Sequence, residues 1–280
     1  MNTVQRLGAF GAVLAGMFAI GIGAGAAFGP VTQEEEAIAP APIGEGVVAA
    51  KDGFRLVPAT RQLAPDGGAF HFVIEGPDGA PVVEFQQEHE KDLHFILVNR
   101  DLTVFHHLHP TRATDGTWST DVPALPAGSY RAVTDFHIVD GPRLALGTDL
   151  SVAGDYTPSM LVEPATPSHV DGYEIPLQSE LHEGGEVKIA LTVHEEGRLV
   201  TDLQPYLGAF GHLVAMRSGD LAYAHVHPDD YGDGTVRFDA ELNSEGRYGL
   251  FFDFKHGGAV HTATFTFDQG LVTGAPTMDH

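Results

Sequence analysis

The residues with the most chemistry in them are histidines. The chain has 280 residues, 16 of them His and none of them Cys. Thiolate ligands, disulfides and a Cys nucleophile are therefore excluded, and a bound metal would have to be held by His, Asp, Glu or Met. Two runs concentrate the signal: Phe105-His106-His107-Leu108-His109-Pro110 and Tyr223-Ala224-His225-Val226-His227-Pro228. On a strand, alternate side chains share a face, so Phe105, His107 and His109 point one way and His106 and Leu108 the other. Histidines at i and i+2 lie within about 7 Å, close enough for both to ligate one ion after small rotamer changes. The proline that follows each pair is expected to end its strand.

These runs belong to an internal repeat with an offset of 118 residues and no gap. His94 falls on His212, His107 on His225, His109 on His227, Asp115-Gly116-Thr117 on Asp233-Gly234-Thr235, Tyr130 on Tyr248, and Asp135-Phe136 on Asp253-Phe254. His94 and His212 each begin an apolar strand just before the His-x-His step, so a hairpin would bring up a third imidazole. Asp135 and Asp253 are expected to supply a carboxylate ligand, or an acceptor that fixes the tautomer of a ligating histidine. His106 aligns with Ala224 and is expected to pack or cap. In the second repeat, Gly257-Gly258 reads as a turn that places His256 across from His261, so His256 joins the candidate ligands. Two or three imidazoles with one carboxylate suit Zn(II) or Cu(II). Cu(I) is less favoured, because Met216 is the single Met in the paired strands.

The elements that must hold these residues are short. Alternating or apolar runs (69–75, 93–98, 130–139, then 187–193, 212–216, 235–242, 246–254, 259–267) are separated by Gly, Pro and Asp turns, which predicts an all-β sandwich or barrel. Gly128 and Gly246 read as turn glycines, each feeding a strand whose tyrosine, Tyr130 or Tyr248, closes a corner. The expected organisation is a transmembrane anchor or signal segment at 1–29, a linker at 30–50, and a first β-sandwich repeat at 51–153. A second linker at 154–170, a second repeat at 171–268 and a tail at 269–280 complete it.

No residue from Leu7 to Phe28 is charged; Arg6 precedes this stretch and Glu34-Glu35-Glu36 follows it. Its length suits a bilayer span, while Ala24-Gly25-Ala26 offers a small-residue cleavage site. Both readings, a single-pass membrane anchor and a secreted chain after cleavage, place the bulk of the protein outside the cytoplasm. A formal charge of −23 with only 15 Lys and Arg argues against nucleic acid as a partner. That field attracts cations.

Asp92 to Leu102, His107-Leu108-His109-Pro110, Gly246-Arg247-Tyr248, Asp253 to Gly258 and His261 to Phe265 resemble exported bacterial proteins with immunoglobulin-like domains related to the YtkA-like family, a group described as heavy-metal or copper associated. The resemblance covers both repeats. It implies two tandem immunoglobulin-like sandwiches, metal handling at the outer face of the membrane, and a metal-accepting or transporter protein as partner. The Cys-rich segment that accompanies some such domains is missing from this chain.

Three functions follow as expectations. The first is a non-enzymatic, tethered metal-binding module for copper or zinc with one His-based site per repeat; no Gly-x-Ser-x-Gly nucleophile motif accompanies it. The second is a cell-envelope scaffold whose histidines are structural. The third is a bicupin-like metalloenzyme, for which the glutamate expected shortly after each His-x-His step is missing.

Overall fold

The computed structural model describes residues 44–159, 166–182, 186–224, 226–242 and 244–270. The expected anchor, most of the first linker, residues 160–165 of the second linker, the tail beyond residue 270 and His225 lie outside the described residues, as does the side chain of His227. Among the described residues the chain is all-β, and no helix is long and apolar enough to cross a membrane.

In the first repeat two sheets face each other. One carries the strands Phe54–Pro58, Gly68–Glu75 and Thr117–Val122; the other carries Arg143–Val152, Gly128–Ile138, Leu93–Asn99 and Phe105–Leu108 in that order. Between them lies a core built around Phe70, Phe72, Phe95, Trp118, Tyr130 and Phe136. The second repeat follows the same plan, except that Pro228 does not end a strand as expected but lies within Val226–Gly232, paired with Phe238 on the edge of its sheet. Leu177–Leu181, Glu186–Thr192, Thr235–Glu241 and Val226–Gly232 form one sheet, and Tyr223–Ala224, His212–Arg217, Gly246–His256 and Ala259–Gln269 the other. A small third sheet runs through Ser168–Val170 and Tyr173–Ile175. Both corner tyrosines behave as expected. The Tyr130 hydroxyl donates to the Pro126 carbonyl and the Tyr248 hydroxyl to that of Ser244, each at 2.8 Å.

What positions the histidines is a third layer of packing. A strand with one face in water alternates buried and exposed residues, yet Leu93 to Val98 and His212 to Met216 are buried throughout. Leu93, Phe95 and Leu97 fill the first repeat's own core, while Ile96 and Val98 face outward. There they meet Val214, Met216 and Phe251 of the second repeat, and Phe105 stacks on Phe251 at 4.1 Å. The two sandwiches are thus joined sheet to sheet by a hydrophobic seam. His94 and His212 stand in register with Ile96 and Val214 on these seam-facing sides, so alternation delivers both of them to the seam.

Candidate metal centre

The hairpin of Leu93–Asn99 and Phe105–Leu108 pairs Phe95 with Leu108 and Ile96 with His107. Because Ile96 faces the seam, its cross-strand neighbour His107 does too, and His109 follows two residues on. His94, His107 and His109 therefore converge, each offering one nitrogen, with these atoms within 4.8 Å of one another. Two nitrogens on a tetrahedral ion with bonds of about 2.0 Å stand roughly 3.3 Å apart, so small side-chain rotations close this set on one ion. His94 Nδ1 and His107 Nε2 are already 3.0 Å apart.

The other ring nitrogens are committed. His94 Nε2 lies 3.1 Å from the Glu88 carbonyl, which can only accept, so that nitrogen carries hydrogen and leaves Nδ1 for an ion. His107 Nδ1 lies 3.0 Å from Asp253 Oδ2, which leaves Nε2. Asp253 is itself held by the Thr262 hydroxyl, which donates to Oδ1 at 2.6 Å. His109 Nε2 is buried and has no hydrogen-bond partner among the described residues. An orphaned buried nitrogen costs roughly 1–3 kcal/mol, which an ion ligated through Nε2 would relieve. The three bonds through His94 and His107 also call for one more hydrogen than two neutral imidazoles carry. A cation between Nδ1 and Nε2 would take the place of that proton.

Burial sets the charge state. Desolvation pushes the His94 imidazole down to about 4, with the neighbouring His107 adding to the effect. His109 falls to about 2, first from burial and then from His107 and His94. His212 falls to about 4, again first from burial, partly offset by its hydrogen bond to the Tyr206 carbonyl. Neutral imidazole is the form that ligates.

The expected residues are distributed as follows. His94, His107 and His109 come together. Asp253 joins them from the second repeat as the acceptor on His107 rather than as part of a set with His212. Asp135, directly across from His94 in the sheet, is engaged by Arg143 at 3.1 Å and by the Tyr223 hydroxyl at 2.9 Å. It lines the same cleft, a space of about 40 Å³ bounded also by His89, His94, His107, His212 and Arg143. His212 enters at the seam, its ring 6.0 Å from that of His107. His225 and the side chain of His227 lie outside the described residues. His256 is elsewhere. It sits 2.8 Å from the Tyr173 hydroxyl and 3.4 Å from Asp202, and it pairs across the Gly257-Gly258 turn with Ala259 rather than with His261. His261 pairs with Phe254, because a two-residue turn joins its immediate neighbours and His261 is two positions further on.

One residue escaped sequence reasoning. His89 packs its ring 6.0 Å from His94 and 5.0 Å from His212. It aligns with Leu207, so the repeat did not single it out.

A family model described as a domain of unknown function, DUF8832, matches residues 168–270, which is the second repeat. No curated protein matches the chain. Among solved structures it is similar to invasin, described as a bacterial integrin-binding protein, with 11% identity over 74% of this chain and 38% of that one at a TM-score of 0.25. It is also similar to InvD of Yersinia pseudotuberculosis, with 13% identity over 81% and 61% at a TM-score of 0.25. A marsupial T cell receptor gives 10% identity over 78% and 62% at 0.24. The chain spans less than two thirds of each of these relatives. By its own strand order and corner tyrosines the chain is an all-β protein of immunoglobulin-like sandwiches, and its second repeat matches a domain of unknown function.

Proposed function

We propose that this chain is a membrane-tethered, extracytoplasmic protein that binds copper or zinc, as Cu(II) or Zn(II), through a centre built on His94, His107 and His109. The carrying observation is the convergence of three ligand nitrogens within 4.8 Å. The outward nitrogens of His94 and His107 already donate to a carbonyl and a carboxylate, the arrangement that orients ligating histidines. Buffering or delivery to a metal-accepting or transporter protein fits a non-enzymatic module of this kind. The tether rests on the apolar segment from Leu7 to Phe28.

The test is calorimetric titration of the full chain with Zn(II) and with Cu(II), beside a His107→Ala/His109→Ala variant of unchanged circular dichroism. Tight binding in the parent that disappears in the variant is expected. Absence of binding in the parent, or binding that survives both substitutions, would overturn the proposal.

An envelope scaffold with non-ligating histidines is the second reading. It is favoured by the bonds that His94 and His107 already make to each other and to protein acceptors. The same titration separates the two.

A further inference from the structure

We infer that the metal centre is shared between the repeats: the second repeat completes it, with His212 as a further ligand and Asp253 as the group that orients His107. This rests on the metal-binding reading above and says where the rest of the site comes from.

Four observations carry it. First, His107 and Asp253, whose side chains are 6% and 5% exposed, form a 3.0 Å contact across the seam. A carboxylate buried to that degree is costly unless it is paired, and the Thr262 hydroxyl leaves it one oxygen for His107. Second, His212 Nε2 lies 2.8 Å from the Tyr206 carbonyl, so its hydrogen is on that nitrogen and Nδ1 keeps its lone pair. This copies the way the Glu88 carbonyl holds His94 Nε2 in the first repeat. Third, His212 is 7% exposed and borders the cluster on its His107 side, its ring 6.0 Å from His107 and 5.0 Å from His89. Fourth, the apolar contacts that bring these groups together, Phe105 on Phe251 and Ile96 and Val98 against Val214 and Met216, belong to the docked pair and to neither repeat alone. A three-histidine set on one hairpin leaves a zinc or copper position open. The second repeat presents a buried imidazole beside His107, with its tautomer already fixed by the Tyr206 carbonyl.

An ion bound to both repeats holds them together. Any ligand that binds only the docked form stabilises docking in proportion to its occupancy. The repeat therefore provides a protein whose seam tightens when metal is present.

The experiment uses the full chain and Zn(II). Parent, Asp253→Asn, His212→Ala and His89→Ala are titrated by competition with a chromogenic chelator, and hydrogen exchange is followed in peptides covering 93–99 and 212–217 with and without zinc. Asp253→Asn keeps the volume and an acceptor oxygen, so it tests the charge with little risk to the fold. Both Asp253→Asn and His212→Ala are expected to weaken zinc by about 10- to 100-fold, the usual consequence of disturbing a ligand or its orienting partner. In the parent, zinc should slow exchange in both peptides. In His212→Ala it should slow exchange in 93–99 alone. Zinc affinity that is unchanged in both variants, protection confined to 93–99 in the parent, or a loss caused by His89→Ala and not by His212→Ala would each overturn the shared centre. Those outcomes leave the three-histidine reading standing, because that reading fails only if the parent binds no zinc or the His107→Ala/His109→Ala variant still does.

Discussion

His94, His109 and His212 are neutral because they are dry. Burial lowers each of them from the ordinary 6.5, to about 4 for His94 and His212 and to about 2 for His109. In the unfolded chain the same side chains take up a proton near 6.5. Above that pH neither state is protonated at these positions, and they make no pH-dependent contribution. As the pH falls from 6.5 toward 4, the unfolded state binds protons that the folded state refuses, so folding stability drops. His94 and His212 each remove at most about 1.4 kcal/mol per pH unit in this window, and the less buried His109 removes less. Metal-free protein, held in chelator and unfolded with urea, should therefore be markedly less stable at pH 4.5 than at pH 7. His94→Gln should reduce that difference. A stability that is flat, or that rises, between pH 6.5 and 4.5 would show that these imidazoles are more hydrated than the seam allows.

At the scale of elements, the turn that leads into the His94 strand is built under strain. Glu88 and Lys91 exchange backbone hydrogen bonds of 2.9 and 3.0 Å around His89 and Glu90. These two central residues have φ of 49° and 63°, the left-handed pair of a type I′ hairpin turn. The equivalent turn in the second repeat, at Tyr206–Ala209, has Leu207 and Gly208 at 53° and 75°. Glycine takes this conformation without the steric cost that a side chain meets. Glu90→Gly should thus raise stability by roughly 1 kcal/mol, seen as a higher urea midpoint at unchanged slope. A lowered midpoint would mean that Glu90 makes a compensating contact. The turn also marks the boundary of what the sequence reveals. His107 and His109 were legible because strand alternation is local and the repeat preserved them. His94 was legible because a hairpin joins consecutive strands. His89 was not, since nothing in Glu88-His89-Glu90 announces a left-handed turn. Asp253 was assigned to its own repeat because the pairing of the two sandwiches is a long-range fact. The uninterrupted apolar runs at 95–98 and 213–216 contain the clue, since strands buried on both faces require a second covering layer.

Across the whole molecule, the two repeats are held not only by their seam but also by the chain that enters at it. Residues 44–49 lie along the edge where the sandwiches meet. Gly46 donates to the Ala145 carbonyl at 3.0 Å and Gly147 donates to the Val48 carbonyl at 2.9 Å, both in the first repeat, while Tyr223 of the second repeat donates to the Glu45 carbonyl at 2.8 Å. Arg131, which is 7% exposed, clamps the segment with Nη1 on the carbonyls of Gly46 and Val47, and pairs with Asp149 at 2.8 Å. Removing that arginine would disturb several partners at once, so Gly147 is the cleaner probe. A Cβ on it would fall into the Gly46 carbonyl oxygen, a backbone atom that can move only by displacing the strap. Gly147→Ala is therefore expected to cost about 1–3 kcal/mol, as overpacking at a tight contact does. It should also release the Tyr223 amide to faster hydrogen exchange, although Tyr223 lies in the other repeat. That remote effect is the discriminating one. Loss of stability without any change at Tyr223 would confine the strap to the first repeat. Exchange at both Gly147 and Tyr223 that is unaltered at full stability would mean that the segment is not clamped at all. If the Tyr223 amide is released, the strap and the histidine cluster act on the same seam, one through backbone hydrogen bonds and the other through the ion proposed to bind there.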